Sequence, residues 1–521
     1  MKKNLFLLVL LCSQLAVSQI ALEHSYSQNM VTRIQLEHFG EKYYVADKTV
    51  GNLLIFNADH TLWKTIDLMI SDPQENIEIA NISSRLLNND DALEVVYSFF
   101  SEADQSRKCQ IITETGAILF SVPNVSGVFM SEFPGLPSKI LLYSNLGNET
   151  SVAVYDTNLT LQHTFDAYTK RIALENSGEK YYTVDRENEQ IKLFNSDFTP
   201  WKTLSLPKPD GSAITTIYFV SETTVNPDAQ LEIGYDCYRG TAVTSRIVNE
   251  SGNILLSADN LARLEFSKIE GLPTKLVTTG ILHDGSGQVT SVFSLPSLTL
   301  EHHYTECVKR IKFGESGEKY YTELPTNNIA KIYNADHTLW RTIPLPVSEG
   351  LGVIWVKHVS QTRINSDENF EIAYTMTSTT DVPQQRGRII NDTGNLILDM
   401  RDVFDFSLNE IPGLDDKFIG IAWTNGDFQG NVYGFGTLQT TNFTELKKII
   451  YPNPASSEVL VRSETSINTI SVYNSNGQLV AVYDGPEITR FSVSDLSQGL
   501  YLLRLSDILG KVTTHKILIS R

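Results

Sequence analysis

The chain has 521 residues, 41% apolar and 10% aromatic, and its 42 Lys and Arg against 61 Asp and Glu give a formal charge of −19. With that balance, and with no Lys/Arg stripe in the sequence, nothing neutralises a run of phosphates, so a nucleic-acid partner is excluded. The apolar content is that of a globular chain, and short strand-like runs bounded by Asn, Asp and Gly, without long helical periods, make the class all-β.

At the N-terminus, Lys2 and Lys3 precede an apolar stretch from Leu5 to Leu11 and a small-x-small site at Ala16-Val17-Ser18. Residues 1–18 read as a signal peptide, cleaved before Gln19. No later segment approaches the roughly 20 apolar residues of a membrane helix, so no transmembrane segment is expected. Beyond the peptide stand Cys109, Cys237 and Cys307, an odd set without CxxC spacing. They read as small buried hydrophobes, not as a metal site.

The body repeats itself. Gly40-Glu41-Lys42-Tyr43-Tyr44 returns at Gly178–Tyr182 and at Gly317–Tyr321, at offsets of 138 and 139. Trp63, Trp201 and Trp340 keep those offsets. A second block, Asn88-x-Asp90-x-x-Leu93-Glu94-x-x-Tyr97, recurs from Asn226 to Tyr235 and from Asn365 to Tyr374, with Phe370 in place of Leu. The third is Gly135-Leu136-x-x-Lys139, matched at Gly271–Lys275 and Gly413–Lys417. Length variation is confined to loops around 101–107, 237–244 and 377–387.

Each block reads as four short strands, in the first case Arg33–Glu37, Lys42–Ala46, Leu53–Asn57 and Leu62–Asp67, with turn residues between them. Three blocks of roughly 46 residues per repeat resemble the blades of a β-propeller, and three repeats then make about nine four-stranded blades. The repeats span 33–170, 171–309 and 310–447 within a body of 19–448. Three independent units are the alternative, but the seams lack the polar or Gly/Pro-rich linkers that separate domains. Leu22-Glu23-His24-Ser25-Tyr26 repeats the last strand of a block whose first strands are missing. Residues 20–27 are therefore expected to close a ring against the final block near Asn431–Phe435.

After Lys447-Lys448 the pattern stops, and Tyr451-Pro452-Asn453-Pro454, a Tyr473-x-x-x-Gly477 hairpin, a Gly499-Leu500-Tyr501 strand and a final strand from Lys516 follow. These motifs make a small sandwich of about seven strands. In the same order they resemble the type A C-terminal sorting domain of the type IX secretion system, over residues 449–521 alone. The resemblance implies export through the inner membrane, passage over an outer membrane, the type IX machinery as a partner, and release or attachment at the cell surface. It says nothing about the body.

Within the body, the Asn-x-Asp loops place Asn88, Asp90, Asn226, Asp228, Asn365 and Asp367 as candidate calcium ligands, since closely spaced oxygens on a tight turn suit a hard cation. Asx-turns explain the same residues without an ion. The three tryptophans are expected to pack in the core, although sugar stacking suits them too. Strand alternation sends the paired tyrosines to opposite faces, one between blades and one toward a channel. His24, His163 and His302 are equivalent but sit on outer strands, too far apart to share a metal. No GxSxG elbow, HExxH helix or phosphate-binding Gly loop is present, and the pairs Asp90-Asp91 and Asp415-Asp416 lie on loops without acid/base differentiation. The expectation is a secreted or surface-exposed binding or adhesion protein whose loops meet a glycan or protein ligand. A secreted hydrolase acting on polysaccharide or peptide, and a structural envelope component, are the alternatives.

Overall fold

The structure is a computed structural model that describes residues 20–27, 30–70, 77–85, 87, 92–101, 106–146, 149–281, 287–314, 316–361, 364, 369–378, 384–424, 427–435, 449–462, 466–474, 478–507 and 512–520. The expected signal peptide, 1–18, lies outside them. The chain divides into two compact units, 1–436 and 437–521.

Among the described residues the first unit holds nine four-stranded antiparallel sheets. Eight are built from consecutive strands, spanning 32–67, 78–123, 127–165, 169–205, 213–259, 262–304, 308–344 and 351–401, and are called blades 1 to 8 in that order. Blade 9 takes three strands from 403–435 and its fourth, Ile20–Ser27, from the other end of the unit. There Ile20 pairs with Phe435 and Ser27 with Gln429.

The strands form because β-branched and aromatic residues alternate on a surface covered from both sides. In Asn52–Asn57, Leu53 and Ile55 are fully buried while their neighbours are half-buried. Gly40, Gly178 and Gly317 each hold φ near +69°, the left-handed turn that admits glycine without strain.

Nine apolar clusters join each blade to the next. Leu53, Ile55 and Tyr97 tie blade 1 to blade 2; Phe406 and Met400 tie blade 9 to blade 8; and Tyr26 and Val432 pack on Tyr43 and Val45, joining blade 9 to blade 1. Burying each such side chain contributes about 1.5–3 kcal/mol. First strands of consecutive sheets adjoin one another, as in Gly127–Ser131 beside Glu78–Ser83 and Leu351–Ser360 beside Val403–Asn409. The body is a β-propeller in which the ninth sheet packs on the first.

The repeated motifs are the fasteners of this ring. Arg171 in blade 4 bonds Glu179 at 2.7 Å and donates to the carbonyls of Ser131 and Pro137 in blade 3, each at 2.7 Å. Arg310 does the same with Glu318, Ser267 and Pro273. The same glutamate accepts the Tyr181 or Tyr320 hydroxyl at 2.8 Å.

Three expectations need correction or refinement. Both tyrosines of each pair pack between sheets: Tyr181 toward blade 3 and Tyr182 toward blade 5, Tyr320 toward blade 6 and Tyr321 toward blade 8. A second strand has a neighbouring sheet on each face, so neither side is open to a channel. The tryptophans pack against the inter-blade core clusters as expected but are only half-buried, each with a cation over its ring. Finally, 237–244 is mostly strand, with Glu232–Arg239 and Ala242–Asn249 joined by a two-residue turn.

Among the described residues the second unit is a seven-stranded sandwich. One sheet holds Ile449–Tyr451, Glu458–Arg462 and Arg490–Ser492, and the other holds Ile467–Tyr473, Leu479–Asp484, Gly499–Asp507 and Val512–Ile519. Val459, Ile470, Leu503 and Ile517 are fully buried between them.

Candidate functional site

Of the six candidate calcium ligands, Asn88, Asp90, Asn365 and Asp367 lie outside the described residues. In blade 5, the Asn226 side-chain oxygen accepts the Asp228 N–H at 3.0 Å, and Asp228 accepts the Gln230 N–H at 2.9 Å. These are Asx-turns, which spend the side-chain oxygens on the loop's own backbone. The Asn226 amide donates to Glu232 at 2.9 Å. Glu232 is fully buried, as are its counterparts Glu94 and Glu371 to within 1%. Burial, reinforced by Asp228, pushes the Glu232 carboxyl up to about 8. Among the described residues, no cluster of three or more His, Cys, Asp or Glu is placed to hold a metal. Cys109, Cys237 and Cys307 are free and buried, and burial pushes the Cys109 and Cys307 thiols up to about 12.

The three equivalent histidines stay apart. Each stacks instead on the aromatic residue of the neighbouring Asx hairpin: His24 on His60 at 4.8 Å, His163 on Phe198 at 4.8 Å, His302 on His337 at 4.9 Å. The Tyr26 hydroxyl meets His60 Nδ1 at 2.8 Å and the Tyr304 hydroxyl meets His337 Nδ1 at 2.7 Å. These contacts join blade 9 to blade 1 and blade 6 to blade 7.

One feature breaks the threefold repetition. A cavity of about 360 Å³ is lined by Gln385, Asp402, Phe404, Trp423 and Phe428. Asp402 alone links the last strand of blade 8 to the first of blade 9, with φ +59°, a conformation that aspartate tolerates better than most side chains. Its carbonyl accepts the Trp423 N–H at 3.2 Å. Trp423 and Phe428 face each other across one hairpin, their rings 4.5 Å apart at 80°, and Phe404 lies 6.1 Å from Phe428. Trp423 is 50% exposed. The side chains of Asp402 and Gln385 have no hydrogen-bond or ion-pair partner among the described residues.

Counting from the repeated lysines, Asn145 and Ile281 stand where Trp423 does, and their hairpin partners are Thr150 and Gln288 in place of Phe428. The sequence reading missed this cleft. Its signal was there as a departure from the repeat, two aromatics in the third copy where the others carry none.

In the tail, Asn453 donates to the Lys516 carbonyl at 3.0 Å and accepts the Leu518 N–H at 2.9 Å, pinning the entry segment to the final strand. Tyr451, Pro452 and Pro454 are exposed around it. Gly499 pairs with Ile519, and the buried Tyr501 bonds the Ser497 carbonyl at 2.9 Å. Gly477 lies outside the described residues.

No curated protein matches this sequence. Among solved structures, the Dos1 propeller overlaps 80% of this chain and 96% of its own at 12% identity and a TM-score of 0.39. The dihydro-heme d1 dehydrogenase NirN overlaps 74% and 73% at 10% identity and 0.36. The V. cholerae biofilm matrix protein Bap1 overlaps 81% and 91% at 12% identity and 0.27. Likenesses this loose carry no functional information. No helix among the described residues is long and apolar enough to cross a membrane. The family model for the secretion system C-terminal sorting domain matches residues 449–520. Such a tail engages the secretion machinery and directs its chain to the cell surface or the medium. The segment 449–520 is thus a type IX C-terminal sorting domain, carried by a chain whose body is a β-propeller.

Proposed function

We propose that this chain is a secreted or surface-displayed binding protein, its propeller a rigid frame that presents one recognition cleft to an extracellular ligand. The cleft at blades 8 and 9 carries the reading. The repeated residues are consumed by the ring itself, as the Arg171, Glu179 and Tyr181 bonds illustrate, whereas Trp423 and Phe428, packed on each other across one hairpin, still leave half and more than a third of their surface exposed. Concave aromatic surface with a few unpaired polar groups is the usual form of a ligand site.

The test is to measure binding of the full chain to immobilised glycans and extracellular polypeptides, in parallel with hydrolysis of the same panel. Saturable binding without turnover supports the reading. Cleavage of a polysaccharide or peptide would replace it with a hydrolase, and failure to bind any member, with co-purification in assemblies, would leave a structural envelope component.

A further inference from the structure

We infer that the cleft beside Trp423 takes a cationic side chain, the guanidinium of Arg or the ammonium of Lys, presented by a polypeptide ligand. This rests on the binding reading above and names the chemistry of its ligand.

The other four tryptophans supply the argument. Trp63 lies between Lys42 at 4.9 Å and Lys64 at 4.7 Å. Trp201 lies between Lys180 at 4.8 Å and Lys202 at 4.6 Å. Trp340 has Lys319 and Arg341 over its ring, each at 4.9 Å, and Trp355 has Lys357 at 4.6 Å. Trp423 is the fifth of five, and among the described residues no cation sits over its ring. The adjoining segments 379–383 and 425–426 contain neither Lys nor Arg. Arg386, at the start of the neighbouring strand, is held by Asp399 at 2.8 Å and Ser348 at 2.7 Å.

The rest of the lining suits the same guest. Aromatic faces are electron-rich, and Trp423 and Phe428 meet at 80°, with Phe404 beyond, so a cation among them faces negative quadrupoles from more than one side. Asp402 places an unpaired carboxylate beside the rings, and a fork of guanidinium N–H groups fits it in two-pronged fashion. The Gln385 amide oxygen offers a further acceptor. A neutral sugar would use the rings and the two polar groups but would gain nothing from the charge of Asp402 or from the chain's formal charge of −19.

The test uses the full chain and follows the heat of binding in calorimetric titrations with Nα-acetyl-arginine amide, Nα-acetyl-lysine amide and Nα-acetyl-citrulline amide, the last an uncharged shape-mimic of arginine. Saturable binding of the arginine and lysine amides is expected at millimolar to tens of millimolar concentration, the range that one cation–π contact and one charge-assisted pair with Asp402 support together. It should weaken about tenfold with Asp402→Asn, vanish with Trp423→Ala and survive in Trp423→Phe. Equal response to the citrulline amide, or an unchanged response in Trp423→Ala, would overturn the inference, as would a neutral oligosaccharide competing at the cleft. A ligand that binds the parent and Trp423→Ala equally well would keep the binding reading while discarding this one. A chain that binds nothing discards both.

Discussion

The Arg33 guanidinium donates to the Asp415 carbonyl at 2.6 Å, across 382 residues of chain, and bonds Glu41 at 2.7 Å. It is the Arg171–Pro137 bond of the second repeat, transposed to the place where blade 9 meets blade 1. Arg33 is fully buried at its side chain, so removing it strands Glu41 and two carbonyls. Arg33→Met should cost about 3 kcal/mol in urea unfolding, because breaking a buried pair leaves one charge uncompensated. Arg171→Met and Arg310→Met should cost about the same if the seams act as one cooperative ring. A cost at Arg33 near zero would mean that blades 9 and 1 do not depend on each other.

Truncating strand Ile20–Ser27 is a more direct probe of closure. Ile20 is 1% exposed and Tyr26 is 5% exposed, each inside an inter-blade cluster. The double substitution Ile20→Ala, Tyr26→Ala should lower stability by several kcal/mol, on the order of 3 for each deleted side chain. An unchanged melting curve would point to three independent thirds.

Acid should loosen two seams and spare one. Burial holds the His60 and His337 imidazoles below the ordinary histidine value of 6.5, against the pull of Glu23 and Glu301. An unfolded histidine takes up a proton more readily, so the stability these residues contribute is present above about pH 6.5 and is lost as the pH falls below it. His24, Glu23, Tyr26, Tyr43 and Lys417 surround His60. The third equivalent position is Phe198, which has no proton to gain. Carrying its solution over, as His60→Phe with His337→Phe, should flatten the melting temperature between about pH 7 and pH 5. A slope as steep as the parent's would place the acid sensitivity elsewhere.

Glu232 should act in the opposite sense. The folded chain keeps this carboxyl protonated up to about 8, while an unfolded glutamate releases its proton near 4.5. Folded protein binds the extra proton through that window, so its contribution falls as the pH rises from about 4.5 to 8. Glu232→Gln, permanently neutral, should remove that decline and be the more stable form near pH 8. The measurement belongs in EGTA and again with calcium. If calcium abolishes the parent's decline while raising its melting temperature, the Asn226 and Asp228 loop holds an ion after all.

The all-β class and the propeller were legible because the ring uses the same side chains each time: Arg, Glu, Lys, Tyr and Trp return at nearly fixed offsets because they bolt equivalent seams. The tail was legible for the opposite reason, since four ordered motifs mark it as a different object. The fate of the paired tyrosines was not, because alternation tells which face a residue takes but not that a second strand has a sheet on either side. The partial exposure of the tryptophans was not legible, because the cations over their rings come from a strand two places away in the same sheet as well as from the next residue. Trp423 escaped notice since periodicity rewards what recurs, and this cleft exists only where recurrence fails.

The strand Ile20–Ser27 has a further consequence for a chain made from one end to the other. Its partner, Asp427–Phe435, is synthesised some 400 residues later. Until then its edge is unsatisfied, and any chain that stops early keeps that edge open to pair with a sister molecule. The first strand of the body is the last to find its place, so a sealed ring certifies a body synthesised through its ninth blade.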